Sequence, residues 1–141
     1  MHEIQSPDNG IERLIKTVKA DVAPRVTPPA LQAEIVSVEY FTAAEGVLGA
    51  QMERPDEKVM ASLGLITFCV IVMRNGFTVH GMSACASPEN FNKQVGRAVA
   101  RANAEAQMWP LLGYALKEKL WQDKVNNTLV ENLKGAKPCE S

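Results

Sequence analysis

Leu65-Ile-Thr-Phe-Cys-Val-Ile-Val-Met73 and Phe77-Thr-Val-His-Gly-Met-Ser-Ala-Cys85 flank the tripeptide Arg74-Asn-Gly76. Asn-Gly between two β-branched runs is a strong hairpin signal, because a two-residue turn of type I′ needs positive φ at both central residues. With Asn75 and Gly76 as the loop, Val72 is expected opposite Val79, Val70 opposite Gly81, Phe68 opposite Ser83 and Ile66 opposite Cys85. Thr67, Cys69, Ile71, Met73, Thr78, His80, Met82 and Ala84 then share the other face. The first strand is apolar on both sides, as in a strand covered twice. The fold class expected is α+β, with a small antiparallel sheet centred on a hairpin at about 64–74 and 77–85.

A long helix is expected from residue 88. Ser87 is a hydroxyl cap, and Pro88 stands where a helix can spare an N–H. Phe91, Val95, Ala98, Val99, Ala102 and Ala106 recur at helical spacing and form a stripe able to lie on the Phe68/Val70/Val72/Val79 face. Asn90, Gln94, Arg97, Arg101 and Glu105 occupy the opposite side, with Arg97 and Arg101 stacked one turn apart. Trp109-Pro110 is expected to end or kink this helix. A further C-terminal helix follows over Leu111–Trp121, with weak helical character to Lys134.

The chain reads as a single domain over 1–141, long enough for one core. Residues 1–10 form a loose N-terminus. Ile11, Leu14, Ile15 and Val18 mark one face of a helix from Ile11 to Asp21, and Thr27-Pro28 starts a second that runs to about Glu34. Together they make a helical hairpin over 11–36, which must dock its apolar face on the sheet or on another subunit. Ile35–Thr42 favours a strand, with a continued helix as the alternative. Residues 37–121 hold the sheet and the later helices. Ala43–Ser62, with Gly46, Gly49 and Pro55, reads as a surface connection, and 135–141 as tail.

A formal charge of −1 and 46% hydrophobic residues disfavour disorder and general nucleic-acid coating. The apolar run from Leu63 to Met73 is shorter than the ~20 residues a membrane helix needs. The first residues have neither a positive start nor an apolar stretch, so no secretory signal is read there and a soluble, cytosolic protein is expected. Cys69, Cys85 and Cys139 contain no Cys-x-x-Cys pair, and in the register above the first two point to opposite faces, so reduced thiols are expected.

Signs of chemistry are few. His2 and His80 have no partners for a metal site. A Cys69–His80 dyad would join diagonal neighbours about 7–8 Å apart across a covered face. No phosphate loop, dinucleotide fingerprint or nucleophile elbow occurs, so no catalytic residue, metal or cofactor is expected. Binding signals are better, and each has a plainer counterpart. Ser87 with Asn90 at a helix start suits an anion, or is an ordinary cap. Arg97 and Arg101 suit phosphate, or form a solvated helix face. Phe77 at a strand end can stack on a nucleobase, or cap the core and stack on Arg74.

Leu65-Ile-Thr-Phe-Cys-Val, Arg74-Asn-Gly-Phe-Thr-Val-His-Gly, Ser83-Ala-Cys-Ala-Ser-Pro-Glu-Asn-Phe-Asn, Gly96-Arg, Ala100-Arg-Ala-Asn-Ala and Trp109-Pro-Leu-Leu-Gly-Tyr-Ala-Leu occur in this order. With Tyr40-Phe-Thr-Ala-Ala-Glu-Gly, they resemble the small phage-protein family named after phages N4 and Sf6, over roughly Arg25 to Leu120. The signature is also similar to that of the Thoeris anti-defence sponge proteins. This resemblance implies a protein of the host bacterial cytoplasm that sequesters, without degrading them, cyclic ADP-ribose-type signals, or cyclic di- or trinucleotides from the related CBASS defence. It implies a homo-oligomer, dimer or hexamer, with pockets between subunits and no role at a membrane. Phe77 becomes the candidate base-stacking residue, Ser87 and Asn90 candidate polar contacts, and Arg97 and Arg101 candidate phosphate ligands. Arg25 is a further candidate from a neighbouring subunit's helical hairpin. Met82 replaces an acidic residue of the family's Gly-Glu-Ser-Ala-Cys pattern and so removes a carboxylate. The alternative readings are a phage accessory factor that binds nucleic acid or a host protein, and a nucleotide hydrolase.

Overall fold

The computed structural model of the chain describes residues 7–50 and 53–136. Most of the loose N-terminus and of the tail, with Cys139, lies outside them. The protein is α+β. Its elements are α1 (Pro7–Thr17), α2 (Pro28–Ala33), β1 (Ile35–Thr42), α3 (Ala43–Ala50), α4 (Glu57–Leu63), β2 (Ile66–Met73), β3 (Thr78–Ala84) and α5 (Lys93–Gly135). The strands form one antiparallel sheet in the order β1-β2-β3. The chain divides into two compact units, one of residues up to Thr27 with those from Leu111 onward, the other Pro28–Pro110. The second helix therefore groups with the sheet, not with α1 as the expected hairpin had it.

The hairpin is present, but its turn corrects the expected register. Met73 N–H donates to the Phe77 carbonyl at 2.8 Å and Gly76 N–H to the Met73 carbonyl at 2.8 Å. The loop is thus three residues, Arg74-Asn75-Gly76, with Gly76 at φ +86° and the Asn75 side chain accepting from Phe77 N–H at 3.0 Å. Asn75 keeps a negative φ, so type I′ does not form, and a left-handed glycine closes a bulged turn instead. Ile71 now opposes Val79, Cys69 opposes Gly81, and Val70 opposes His80. A shift of one residue exchanges the partners of every side chain on β3.

The core follows from that register. Thr67, Cys69, Ile71 and Met73 alternate as buried residues along β2, and Val79 and Gly81 join them from β3. Helix α5 closes this face, not the expected Phe68/Val70 face. Its contact stripe is Gly96, Ala100, Ala104 and Met108, while Val95 and Val99 of the expected stripe stay 59% and 44% exposed. Small residues win here because they let backbone meet backbone. A β-carbon on Gly81 would overlap the Ala100 carbonyl oxygen and the Ala104 amide nitrogen, and one on Gly96 would come within 2.9 Å of Thr67 Oγ1. Two amides on the flank of α5 also reach the outer edge of β3. Asn103 Nδ2 donates to the Met82 carbonyl at 2.9 Å, and His80 N–H donates to Gln107 Oε1 at 3.4 Å. The opposite sheet face is half-covered. There Phe41 and Phe68 stack at 5.5 Å, and Gly46 of α3 stands against the Phe41 ring.

Residues 43–62 hold two helices where a surface connection was expected. Thr42 and Glu45 form a reciprocal capping box: Glu45 N–H donates to Thr42 Oγ1 at 3.1 Å and Thr42 N–H to Glu45 Oε2 at 3.0 Å. Asp56 caps α4 by accepting from Val59 N–H at 3.0 Å. The start of α5 differs too. Ser87-Pro88 opens only a 3-10 turn, Pro88–Asn90, and the Ser87 hydroxyl makes no cap bond. Phe91 is extended at ψ 124°, and Asn92 is the working cap, its Oδ1 accepting from Gln94 and Val95 N–H at 2.9 and 3.1 Å. Replacing Asn92 by alanine is therefore expected to cost about 1 kcal/mol, measured as a lower urea midpoint, whereas Ser87→Ala is expected to leave the midpoint in place.

Pro110 neither ends α5 nor starts a new helix; α5 runs through it to Gly135. In the unit formed by both ends of the chain, Arg25 donates to Glu12 through Nη1 and Nη2 at 2.9 and 2.8 Å and to Asp21 through Nε at 3.0 Å. The same unit leaves much apolar surface open. Ile11 and Leu14 of α1 and Val18 just past its end are 58–60% exposed, and Tyr114, Trp121, Leu129 and Leu133 are 56–76% exposed on α5. No helix among the described residues is long and apolar enough to cross a membrane.

Candidate functional site

Arg97 and Arg101 sit one helical turn apart on α5, beside the buried stripe rather than opposite it, and both turn toward β1. Tyr40 meets them there. Its α5-facing position follows from pairing with the buried Cys69, and the Arg97 guanidinium carbon lies 5.3 Å from its ring centroid. Arg101 is engaged differently. Its Nε donates to Glu105 Oε1 at 2.8 Å and its Nη2 to Gln32 Oε1 of α2 at 3.0 Å, while Gln32 Nε2 donates to Glu105 at 3.1 Å. The hydrogen bond to Glu105 raises the Arg101 pKa, partial burial works against it, and the Tyr40 hydroxyl adds to the rise. Arg97 has no carboxylate partner among the described residues, so its charge is the uncommitted one.

The other predicted site residues are placed elsewhere. Phe77 is 53% exposed at the turn end of the hairpin, next to Met73 on the β3 side. From Tyr40 it is two strands across and four residues along, roughly 16 Å by strand geometry. Within one chain, Phe77 therefore does not share a site with Tyr40. Ser87 and Asn90 belong to the 3-10 turn before α5. The amides expected to be free for an anion are used inside that turn, Asn90 N–H on the Ser87 carbonyl at 3.1 Å and Phe91 N–H on the Pro88 carbonyl at 3.2 Å. Arg25 lies in the other compact unit with its guanidinium taken up by Glu12 and Asp21. Those contacts raise its pKa, and the Arg25 hydrogen bond lowers that of Glu12.

The cysteine readings are corrected by the register. Cys69 is fully buried on the α5 side, and burial raises its thiol pKa. His80 points to the other face, opposite Val70, so no dyad forms. Cys85 shares the face of Cys69, not the opposite one, but pairs with Leu65 four residues further along, and both thiols are free. Met82 is 53% exposed on the face away from α5, so the missing carboxylate does not bear on the arginine pair. Two recesses along α5, one lined by Trp121, Val125 and Leu129 and the other by Lys117, Leu120 and Asn127, hold none of the predicted site residues.

Sequence reasoning placed Glu105 on the side of Arg97 and Arg101, whose i, i+4 series it continues, but missed Tyr40 and Gln32 as members of this cluster. Tyr40 becomes visible only once β1 is paired with β2.

These features define a small α+β protein with a cationic and aromatic surface cluster on one flank of its long helix. The model of the phage protein (N4 Gp49/phage Sf6 gene 66) family matches residues 26–120, and the chain belongs to that family. No curated protein and no solved structure matches the chain.

Proposed function

We propose that this phage-family protein is a sponge: it holds a cyclic ADP-ribose-type or cyclic oligonucleotide immune signal intact in the host cytoplasm and does no chemistry on it. The carrying observation is the Arg97 guanidinium over the Tyr40 ring, with Arg101 one helical turn along on the same flank of α5. A phosphate needs forked donors and a base needs a flat apolar face, and this cluster supplies both. Cys69 is buried and His80 faces away from it, so these two do not act as a nucleophile and base. The exposed apolar residues of α1 and of the later part of α5 favour a homo-oligomer, since monomers seldom leave so much apolar surface in water. The resemblance to the Thoeris anti-defence proteins names the class of signal.

The test is a calorimetric titration against cyclic ADP-ribose isomers and cyclic di- and trinucleotides, followed by chromatography of what heat releases. One signal bound and recovered unchanged is the expected result. Recovery of a cleaved product makes the protein a hydrolase. If none of the panel binds while DNA or RNA does, with affinity falling steeply in salt through counterion release, the sponge reading is lost to a nucleic-acid role.

A further inference from the structure

We propose that Tyr40 is the ring on which a nucleotide base is stacked, in the place over that ring now taken by the Arg97 guanidinium. This rests on the sponge reading and assigns it a residue that carries no binding signal in the sequence. Three observations carry it. Tyr40 is the aromatic residue beside the arginine pair, on the α5 side of β1 and only half-buried. Phe77 lies at the turn end of the hairpin, roughly 16 Å off by strand spacing. Arg97 rests on the ring without a carboxylate partner among the described residues, whereas Arg101 is already bound to Glu105 and Gln32.

The exchange is favourable in magnitude. A guanidinium over an exposed ring is held more weakly than a base stacked on an aromatic residue. A base arriving on Tyr40 also releases the Arg97 fork, which then lies beside the base and can close on the phosphate attached to it. The ligand class is thereby fixed as a planar base joined to phosphate within the reach of one arginine side chain. Inorganic phosphate or pyrophosphate alone meets only the arginine half of the site.

The test compares wild type, Tyr40→Phe, Tyr40→Leu and Phe77→Leu, titrated with cyclic ADP-ribose, cyclic di-AMP and pyrophosphate, with thermal melts confirming that each variant folds. Tyr40→Leu is expected to weaken nucleotide binding at least tenfold and to leave pyrophosphate within about twofold, in line with stacking energies. Tyr40→Phe keeps the ring and is expected to bind nucleotide like wild type. Equal loss for nucleotide and pyrophosphate in Tyr40→Leu, or nucleotide binding lost in Phe77→Leu and kept in Tyr40→Leu, overturns the assignment while leaving the sponge reading in place. A wild type that takes up neither nucleotide removes both.

Discussion

Gly81→Ala is expected to lower stability by about 3 kcal/mol, at the upper end of what overpacking usually costs. The reason lies in what the new methyl group would meet. At most glycines the neighbour is water or a side chain that can turn away. At Gly81 it is the Ala100 carbonyl and the Ala104 amide, the backbone of α5 itself. The helix can make room only by lifting off the sheet, and that opens the contacts of Cys69, Ile71 and Met108, all fully buried. Valine in place of Gly81 is expected to prevent folding. Gly113→Ala is the control, since nothing lies within 4 Å of its β-carbon position. It replaces a helical glycine and is expected to stabilise by up to about 1 kcal/mol. Urea unfolding of the three proteins tests the pair. Equal midpoints for wild type and Gly81→Ala would mean that α5 does not approach β3 this closely.

Arg97→Ala is expected to weaken uptake of the signal by roughly 10- to 100-fold, the worth of a charge-assisted hydrogen bond of about 1.5–3 kcal/mol. Its melting temperature is expected to stay close to that of wild type, because among the described residues its side chain meets the Tyr40 ring and no carboxylate, and the site is partly exposed. Arg101→Ala should behave differently. Its guanidinium ties α5 to α2 through Gln32, and its removal leaves the Glu105 carboxylate facing any incoming phosphate. Both melting temperature and affinity should therefore fall. Calorimetry and thermal melts on the two variants separate the roles; unchanged affinity in both would remove phosphate from this surface.

The strands were legible in the sequence and their register was not. β-Branched runs on either side of Arg74-Asn75-Gly76 announce a hairpin whichever turn forms. Whether the loop has two residues or three depends on the sign of φ at Asn75, which a sequence does not carry. That one choice decides which residues of β3 share the inner face of β2. The stripe on α5 was misread for a related reason. Val95 and Val99 are the more hydrophobic residues, but Gly96, Ala100 and Ala104 are the ones small enough for close approach. Helices α3 and α4 did carry signals, Thr42-x-x-Glu45 and Asp56, which the breakers Gly46, Gly49 and Pro55 mask in the sequence. Of the site, the arginine pair shows in its spacing alone. Its aromatic partner sits 57 positions away in sequence, at Tyr40 against Arg97, and only strand pairing brings it near.

The two amides that α5 lays against β3 bear on how this protein behaves when concentrated. An outermost strand with free peptide groups is a template on which a second molecule can lengthen the sheet, and repeated without end this yields fibrils. Asn103 and Gln107 fill two hydrogen-bonding positions in the middle of that strand, the Met82 carbonyl and the His80 N–H, so an invading chain must displace them before it can pair. Two uncharged side chains thus hinder fibril growth from this side.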